Sequence, residues 1–337
     1  MNLEIKKTYE EFIKNGYNLK YIDTSGVEIF EDFLGSDNTE YYDLSNAVDI
    51  SKLFKEKRIS SDLSSLDTSS VVVAVDTFLN CELLHSVDNW NISSMVLSCG
   101  MFNNCTFTCS LNKWNPSNIK DASGMFNNIV NKNLDISNWN LSKSIKLDNI
   151  FENSEISQAY IDVSSCITGK SIFKGSNIER LNPYLDTSKM TNMDFAFSNG
   201  INFDQLNVKY WDTSNLKSMK SMFSYFMYSE VVEDKFNCIV DLNSWDMSSI
   251  TNVNDMFLES GNIDIYLSDW GLNDGCDISN IMLNSKSRVS CLEKWTGKLI
   301  KKNSLTGSRY ISKKGYLYSE RFARNFGIPF PPLSPIV

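Results

Sequence analysis

The stretch Trp211–Phe223, WDTSNLKSMKSMF, decides the fold because the chain restates it. Trp245–Phe257 reads WDMSSITNVNDMF and Trp90–Phe102 reads WNISSMVLSCGMF. With the Trp as position 0 and the Phe as position +12, the pairs are Tyr42/Phe54, Leu66/Phe78, Trp90/Phe102, Trp114/Phe126, Trp139/Phe151, Ile161/Phe173, Leu185/Phe197, Trp211/Phe223, Trp245/Phe257 and Trp270/Met282. Tyr21/Phe33 is a weaker match. Successive starts lie 24, 24, 24, 25, 22, 24, 26, 34 and 25 residues apart. A near-fixed period of this length marks a stacked-repeat architecture, in which one unit cannot bury its apolar face alone and borrows its second wall from the next.

Within a unit, Ser stands at +3 in nine of ten cases, Ser45, Ser69, Ser93, Ser117, Ser142, Ser164, Ser188, Ser214 and Ser248, with Asn273 in the tenth. These residue types cap helix N-termini. Apolar residues follow at +5, +8, +11 and +12, as in Leu216, Met219, Met222 and Phe223, which is helical spacing. An aliphatic precedes the start at −3, as in Leu63, Val87, Leu111, Ile136, Val208 and Leu242, suggesting a short strand through the Trp. The pattern predicts an α/β, leucine-rich-repeat-like solenoid of about ten coils, each a short parallel strand plus a short helix, with its phenylalanines in one internal column. The expected divisions are an N-terminal cap over 1–41, the solenoid over 42–285, and a basic C-terminal cap with a proline-rich tail over 286–337. Within the first, Thr8 and Glu11 form a capping box and Gly16 a helix stop.

The consensus W-[DN]-x-S-x-[VIML]-x-x-M-x-x-M-F-x-x-C resembles the BspA-like leucine-rich repeat family of bacterial surface proteins, over residues 42–285. That resemblance implies adhesins and interaction modules of bacterial and protozoan surfaces, with related repeats in viral genomes, and no enzyme as a rule.

Composition excludes several classes. With 42% hydrophobic and 22% charged residues the chain is a folded protein, not a disordered one. No run reaches the roughly 18 apolar residues of a membrane span. The N-terminus MNLEIKKTYEEF lacks the features of a secretory leader, so the expected location is cytoplasmic or virion-associated in preference to the cell surface. Eight cysteines without a leader read as thiols. The net charge of −9 hides an asymmetry: Lys286–Arg324 holds eleven Lys or Arg against Glu293 and Glu320. The remainder therefore carries about twice the overall negative charge.

The polar stripe at +1 includes Asp67, Asn91, Asp162, Asp186, Asp212 and Asp246. It reads either as a surface for a basic partner or cations, or as a structural ladder of Asx side chains bonding backbone amides. The long eighth unit carries an insertion, Ser224–Asp241, in which Tyr225, Phe226, Tyr228, Glu230 and Glu233 are the expected contact residues; the alternative folds its aromatics back onto the coil. Cys81 and Cys105 occupy equivalent places in adjacent units and read as buried thiols, since paired ligands for zinc are missing and His85 is the sole histidine. Phe330, Pro331, Pro332 and Leu333 lie in a tail too rich in proline for helix or central strand, suited to anchoring in a groove. Nucleic-acid contact is open only to the basic C-terminal segment.

No cofactor or metal site is expected, and no nucleophile, zinc or phosphate-loop motif is present. The function expected is a non-enzymatic protein-interaction or adhesion scaffold, with a protein or surface-glycan ligand, as a structural or attachment component of a virion or surface assembly. The alternatives are an exported adhesin and, far behind, a polysaccharide-cleaving enzyme with paired carboxylates.

Overall fold

A computed structural model describes residues 44–182, 184–200, 206–226, 238–261, 263–266, 270, 272–273, 275–283, 285, 288–290, 310–311 and 316–318. The chain divides into two compact units, Met1–Cys166 and Ile167–Val337. The expected cap over 1–41 and the proline-rich tail lie outside the described residues.

In both units the repeat is a stack of coils, but not of strand and helix. No helix occurs among the described residues, so the helix-plus-strand solenoid is corrected. The segment expected to be helical is a run of turns, and the reason is backbone conformation. Every coil holds a left-handed residue at +10: Lys52, Asp76, Gly100, Gly124, Asn149, Ser171, Phe195, Ser221, Asp255 and Asn280. Nine coils show a second at +14, among them Asn80, Asn104, Asn128, Asn153 and Asn199. A right-handed helix admits no such residue in its interior.

What the turns gain is a ladder between coils. In the first coil, Leu53, Lys55 and Lys57 donate N–H bonds three residues back, to Ile50, Lys52 and Phe54. The alternate amides of Ile50, Lys52, Phe54 and Glu56 instead cross to the carbonyls of Val73, Val75, Thr77 and Leu79 in the next coil, at 2.7–2.9 Å. The second unit repeats the scheme, with Met219, Ser221, Phe223 and Tyr225 donating to Asn252, Asn254, Met256 and Leu258. Each backbone bond is worth about 1 kcal/mol net, so the ladder's strength lies in its length.

The strand expected through the Trp is also corrected, because that segment is a turn followed by irregular backbone. The strands lie elsewhere: β1 (Arg58–Ile59), β2 (Glu82–Leu83) and β3 (Glu155–Ala159) in the first unit; β4 (Asn177–Leu181), β5 (Cys238–Asp241), β6 (Ile263–Tyr266), β7 (Arg288–Ser290), β8 (Tyr310–Ile311) and β9 (Tyr316–Tyr318) in the second. β1 and β2 pair in parallel, with Arg58 opposite Glu82. In the second unit β5, β6 and β7 run parallel, one per coil. β9 then returns antiparallel on β7, and β8 antiparallel on β9. Three tyrosines of the basic segment, Tyr310, Tyr316 and Tyr318, thus belong to a hairpin that extends the coil sheet.

The core is columnar. Phe54, Phe78, Phe102, Phe126 and Phe151 stack in the first unit with centroids 5.3–5.8 Å apart and planes within 12°. Phe173, Phe197, Phe223 and Phe257 form a second file at 5.4–5.6 Å. The Trp at position 0 lies inward, and its indole N–H reaches the −3 carbonyl of the preceding coil: Trp90 to Leu63, Trp114 to Val87, Trp139 to Leu111, Trp245 to Val208 and Trp270 to Leu242, at 2.9–3.3 Å. The −3 aliphatic therefore serves twice, with its side chain in the core and its carbonyl for the Trp. Trp211 is the exception: its buried Nε1 has no acceptor among the described residues. Threonine at +2 spends its hydroxyl the same way, Thr68 on the Asn91 carbonyl and Thr213 on that of Asp246.

Two substitution sets test this account. Phe102 touches Phe78, Phe107, Trp114 and Phe126, so Phe102→Ala should cost about 3–5 kcal/mol in urea unfolding. Gly100 and Gly124 are both left-handed, but a Cβ on Gly100 would lie 2.2 Å from Asp76 Oδ1, whereas on Gly124 the nearest atom is 4.0 Å away. Gly124→Ala should cost only the left-handed penalty of about 1–2 kcal/mol. Gly100→Ala should cost more; equal losses would show that the Asp76 contact yields freely.

Candidate functional site

Around position 0 the chain alternates outward and inward. Tyr184, Leu185, Asp186 and Thr187 read exposed, buried, exposed, buried, and so do Tyr210 to Thr213 and Ser244 to Met247. Two side-chain columns, at −1 and +1, therefore share one outward face in each unit.

The +1 column is a row of Asx turns. The side-chain oxygen of Asp67 accepts the Ser69 N–H at 2.9 Å. Asp162, Asp186, Asp212 and Asp246 do the same for Ser164, Ser188, Ser214 and Ser248 at 2.8–3.1 Å, and Asn91 for Ser93 at 3.1 Å. The serine at +3 is thus the amide donor of an Asx turn, not a helix cap. At three of these positions the bond favours the charged carboxylate. The Ser69 side chain and backbone hold Asp67 below the usual carboxylate range. Ser188 does so for Asp186, helped by Lys189, and the Ser248 backbone and hydroxyl do so for Asp246. Asp62 and Asp135 are lowered by Ser64 and Ser137 in the same manner at another corner of the coil. Asp76 runs opposite, raised by burial.

The −1 column holds a feature absent from the sequence-derived candidates. Tyr184 and Tyr210, one coil apart, are 71% and 56% exposed and stack on each other at 5.1 Å. Reading the residue before each start would have found them, because Tyr160, Tyr184 and Tyr210 occupy that place in three successive coils.

The insertion divides its candidates. Tyr225 is 37% exposed. Phe226 is fully buried, edge-on to Phe223 at 5.6 Å and Phe197 at 6.4 Å, so it is a core residue and not a surface contact. Tyr228, Glu230 and Glu233 lie outside the described residues, as do Phe330, Pro331, Pro332 and Leu333.

Cys81 and Cys105 are buried thiols in equivalent places. The hydrogen bond between Cys105 and Cys81, then burial, pushes the Cys105 thiol far up. Burial raises Cys99 and Cys109 to about 11. Such thiols are poor nucleophiles at neutral pH. Among the described residues no group of three His, Cys, Asp or Glu could hold a metal ion, and His85 is exposed. No helix among the described residues is long and apolar enough to cross a membrane.

The lowered aspartates set a pH dependence. A carboxyl whose folded pKa lies below its unfolded value stabilises the fold above the unfolded pKa and loses that contribution as pH falls through the folded one. The urea midpoint should hold from pH 7 to 5 and drop below about pH 4. The triple variant Asp67→Asn, Asp186→Asn, Asp246→Asn keeps an acceptor for each serine, so its midpoint should fall less steeply with acid. An identical acid profile would separate these carboxylates from stability.

No curated protein and no solved structure matches the chain. Residues 17–133, 48–164 and 161–295 match the family described as "Mycoplasma protein of unknown function, DUF285". Three overlapping matches over most of a repeat-built chain are what a family defined on several successive coils produces, and this protein belongs to that family.

Proposed function

We propose that this protein is a non-enzymatic protein-recognition scaffold acting within a larger assembly. The observation that carries the reading is a division of labour between columns. Inward positions keep their chemistry from coil to coil, with Phe at +12 in nine of the ten units. The outward −1 column changes, reading Ser65, Asn89, Lys113, Asn138, Tyr160, Tyr184, Tyr210 and Ser244. A constant interior with a variable face supports presentation of a surface, in keeping with the way solenoid-type repeats offer extended binding faces. The resemblance to BspA-like repeats points the same way.

The carboxylates favour this reading over polysaccharide cleavage. A glycosidase needs one carboxyl held protonated near neutral pH, beside a second that acts as base or nucleophile. Asp67, Asp186 and Asp246 are drawn the other way by their serine partners.

A photo-crosslinking residue at position 186, 210 or 212, in the full chain in its native cells, tests the proposal. Discrete cross-links to one protein species from these outward positions are expected. Reducing ends released from any member of a polysaccharide panel, and lost in the aspartate variants, would replace the scaffold with an enzyme.

A further inference from the structure

The tyrosine stack stops one ring short. Tyr184, Tyr210 and Ser244 are successive members of the −1 column, and register over the three coils is set by Thr187 Oγ1 on the Asp212 carbonyl at 2.8 Å and Thr213 Oγ1 on the Asp246 carbonyl at 2.9 Å. Tyr184 covers one face of Tyr210. In the next coil the place of a third ring is taken by Ser244, exposed and hydrogen-bonded through Oγ to the Lys209 carbonyl. Among the described residues no ring stacks on the second face of Tyr210, toward which the −1 column holds only this small side chain. Asp212 and Asp246, both exposed, stand beside this gap in the +1 column, and neither makes an ion pair among the described residues. Asp246 is held charged by Ser248. Lys209, on the Tyr210 coil, is paired with Asp241 at 3.4 Å, and Lys189 stands beside Asp186.

We propose that this gap seats an arginine side chain from a basic segment of a partner protein, its guanidinium stacked on Tyr210 and bonded to Asp212 and Asp246. The proposal rests on the scaffold reading and names its partner chemistry. A planar guanidinium can lie against a ring face while its in-plane N–H groups reach carboxylates at the side, which a lysine ammonium cannot do. A neutral sugar could use the ring face but leaves the two carboxylates without a counter-charge, so charge complementarity selects the cation.

Calorimetric titration of the full chain at low ionic strength, with a peptide of three arginines alternating with glycine and its lysine counterpart, tests this. The arginine peptide should bind about threefold or more tighter, the span that stacking on an exposed ring provides. Tyr210→Ala should abolish that preference. Ser244→Tyr, which fills the gap at an exposed position, should do the same. Asp212→Asn with Asp246→Asn should weaken both peptides, and the same charge change at Asp67 and Asp135 should leave binding as it is. Equal affinity for the two peptides, an unaffected Ser244→Tyr, or equal loss in the Asp67 and Asp135 control overturns the proposal. Cross-links from other outward positions would then still stand for the scaffold. A gap filled by the basic segment Lys286–Arg324 of a second copy would show as concentration-dependent self-association reversed by the arginine peptide, and would overturn a foreign partner.

Discussion

The constraint on which the structure depends is the crossing of alternate backbone amides from one coil to the next. An amide that bonds four residues back closes a helix and leaves neighbouring coils to meet through side chains alone. Here the left-handed residues at +10 and +14 turn every second amide outward, so that Phe54 reaches Thr77 and Phe223 reaches Met256. The side chains inherit that spacing. The phenylalanine on each bonded amide is brought over its counterpart, and the rings stack because the backbone does. The same rule serves the polar groups: within the stack, buried Trp and Thr donors other than the indole of Trp211 find carbonyls one coil away, which spares the core the cost of unpaired donors.

This explains what could be read from the sequence and what could not. The period and the inward set were legible, because burial demands apolar residues wherever the chain turns inward. Ile50, Leu53, Phe54 and their counterparts are buried as expected. The conformation joining them was not. Turns closing over three residues repeat at nearly the interval of a helix, so apolar spacing alone does not separate the two. The left-handed residue that breaks the supposed helix stands at +10, where Lys52, Ser171 and Phe195 give no sign of it. Asn or Gly at +14 in Asn80, Asn104, Asn128, Asn153, Gly175 and Asn199 is left-handed too, but at that place it fits a helix stop equally well. Side chains there also bond in register, Asn104 to Asn80 at 2.8 Å and Asn128 to Asn104 at 2.6 Å.

The surface was harder to read than the core, for a related reason. Aspartate at +1 followed by serine at +3 fits a helix cap, a turn or a charged face equally well in sequence, and geometry separates them: the Asp oxygen receives the Ser amide of its own coil. Aromatic residues in the insertion suggested exposure by their run, yet Phe226 completes the core between Phe197 and Phe223. The exposed pair lies instead in the regular part of the repeat, where a column one residue before the Trp carries no structural demand and is free to hold tyrosine.

That freedom links architecture to function. A residue in the −1 column touches neither the ladder nor the ring file, so its identity can change at small cost, since surface substitutions away from such features rarely exceed about 0.5 kcal/mol. The stack tolerates insertions on the same principle. Trp245 bonds the Val208 carbonyl across 37 residues, where Trp90 and Trp114 bond across 27, yet the distances agree at 3.0 and 2.9 Å. Coils of unequal length thus hold one register, because the ladder fixes only the residues that enter it. A chain built this way keeps its stability in amides, rings and the Asx turns at +1, and leaves the proposed recognition to outward side chains that these do not fix.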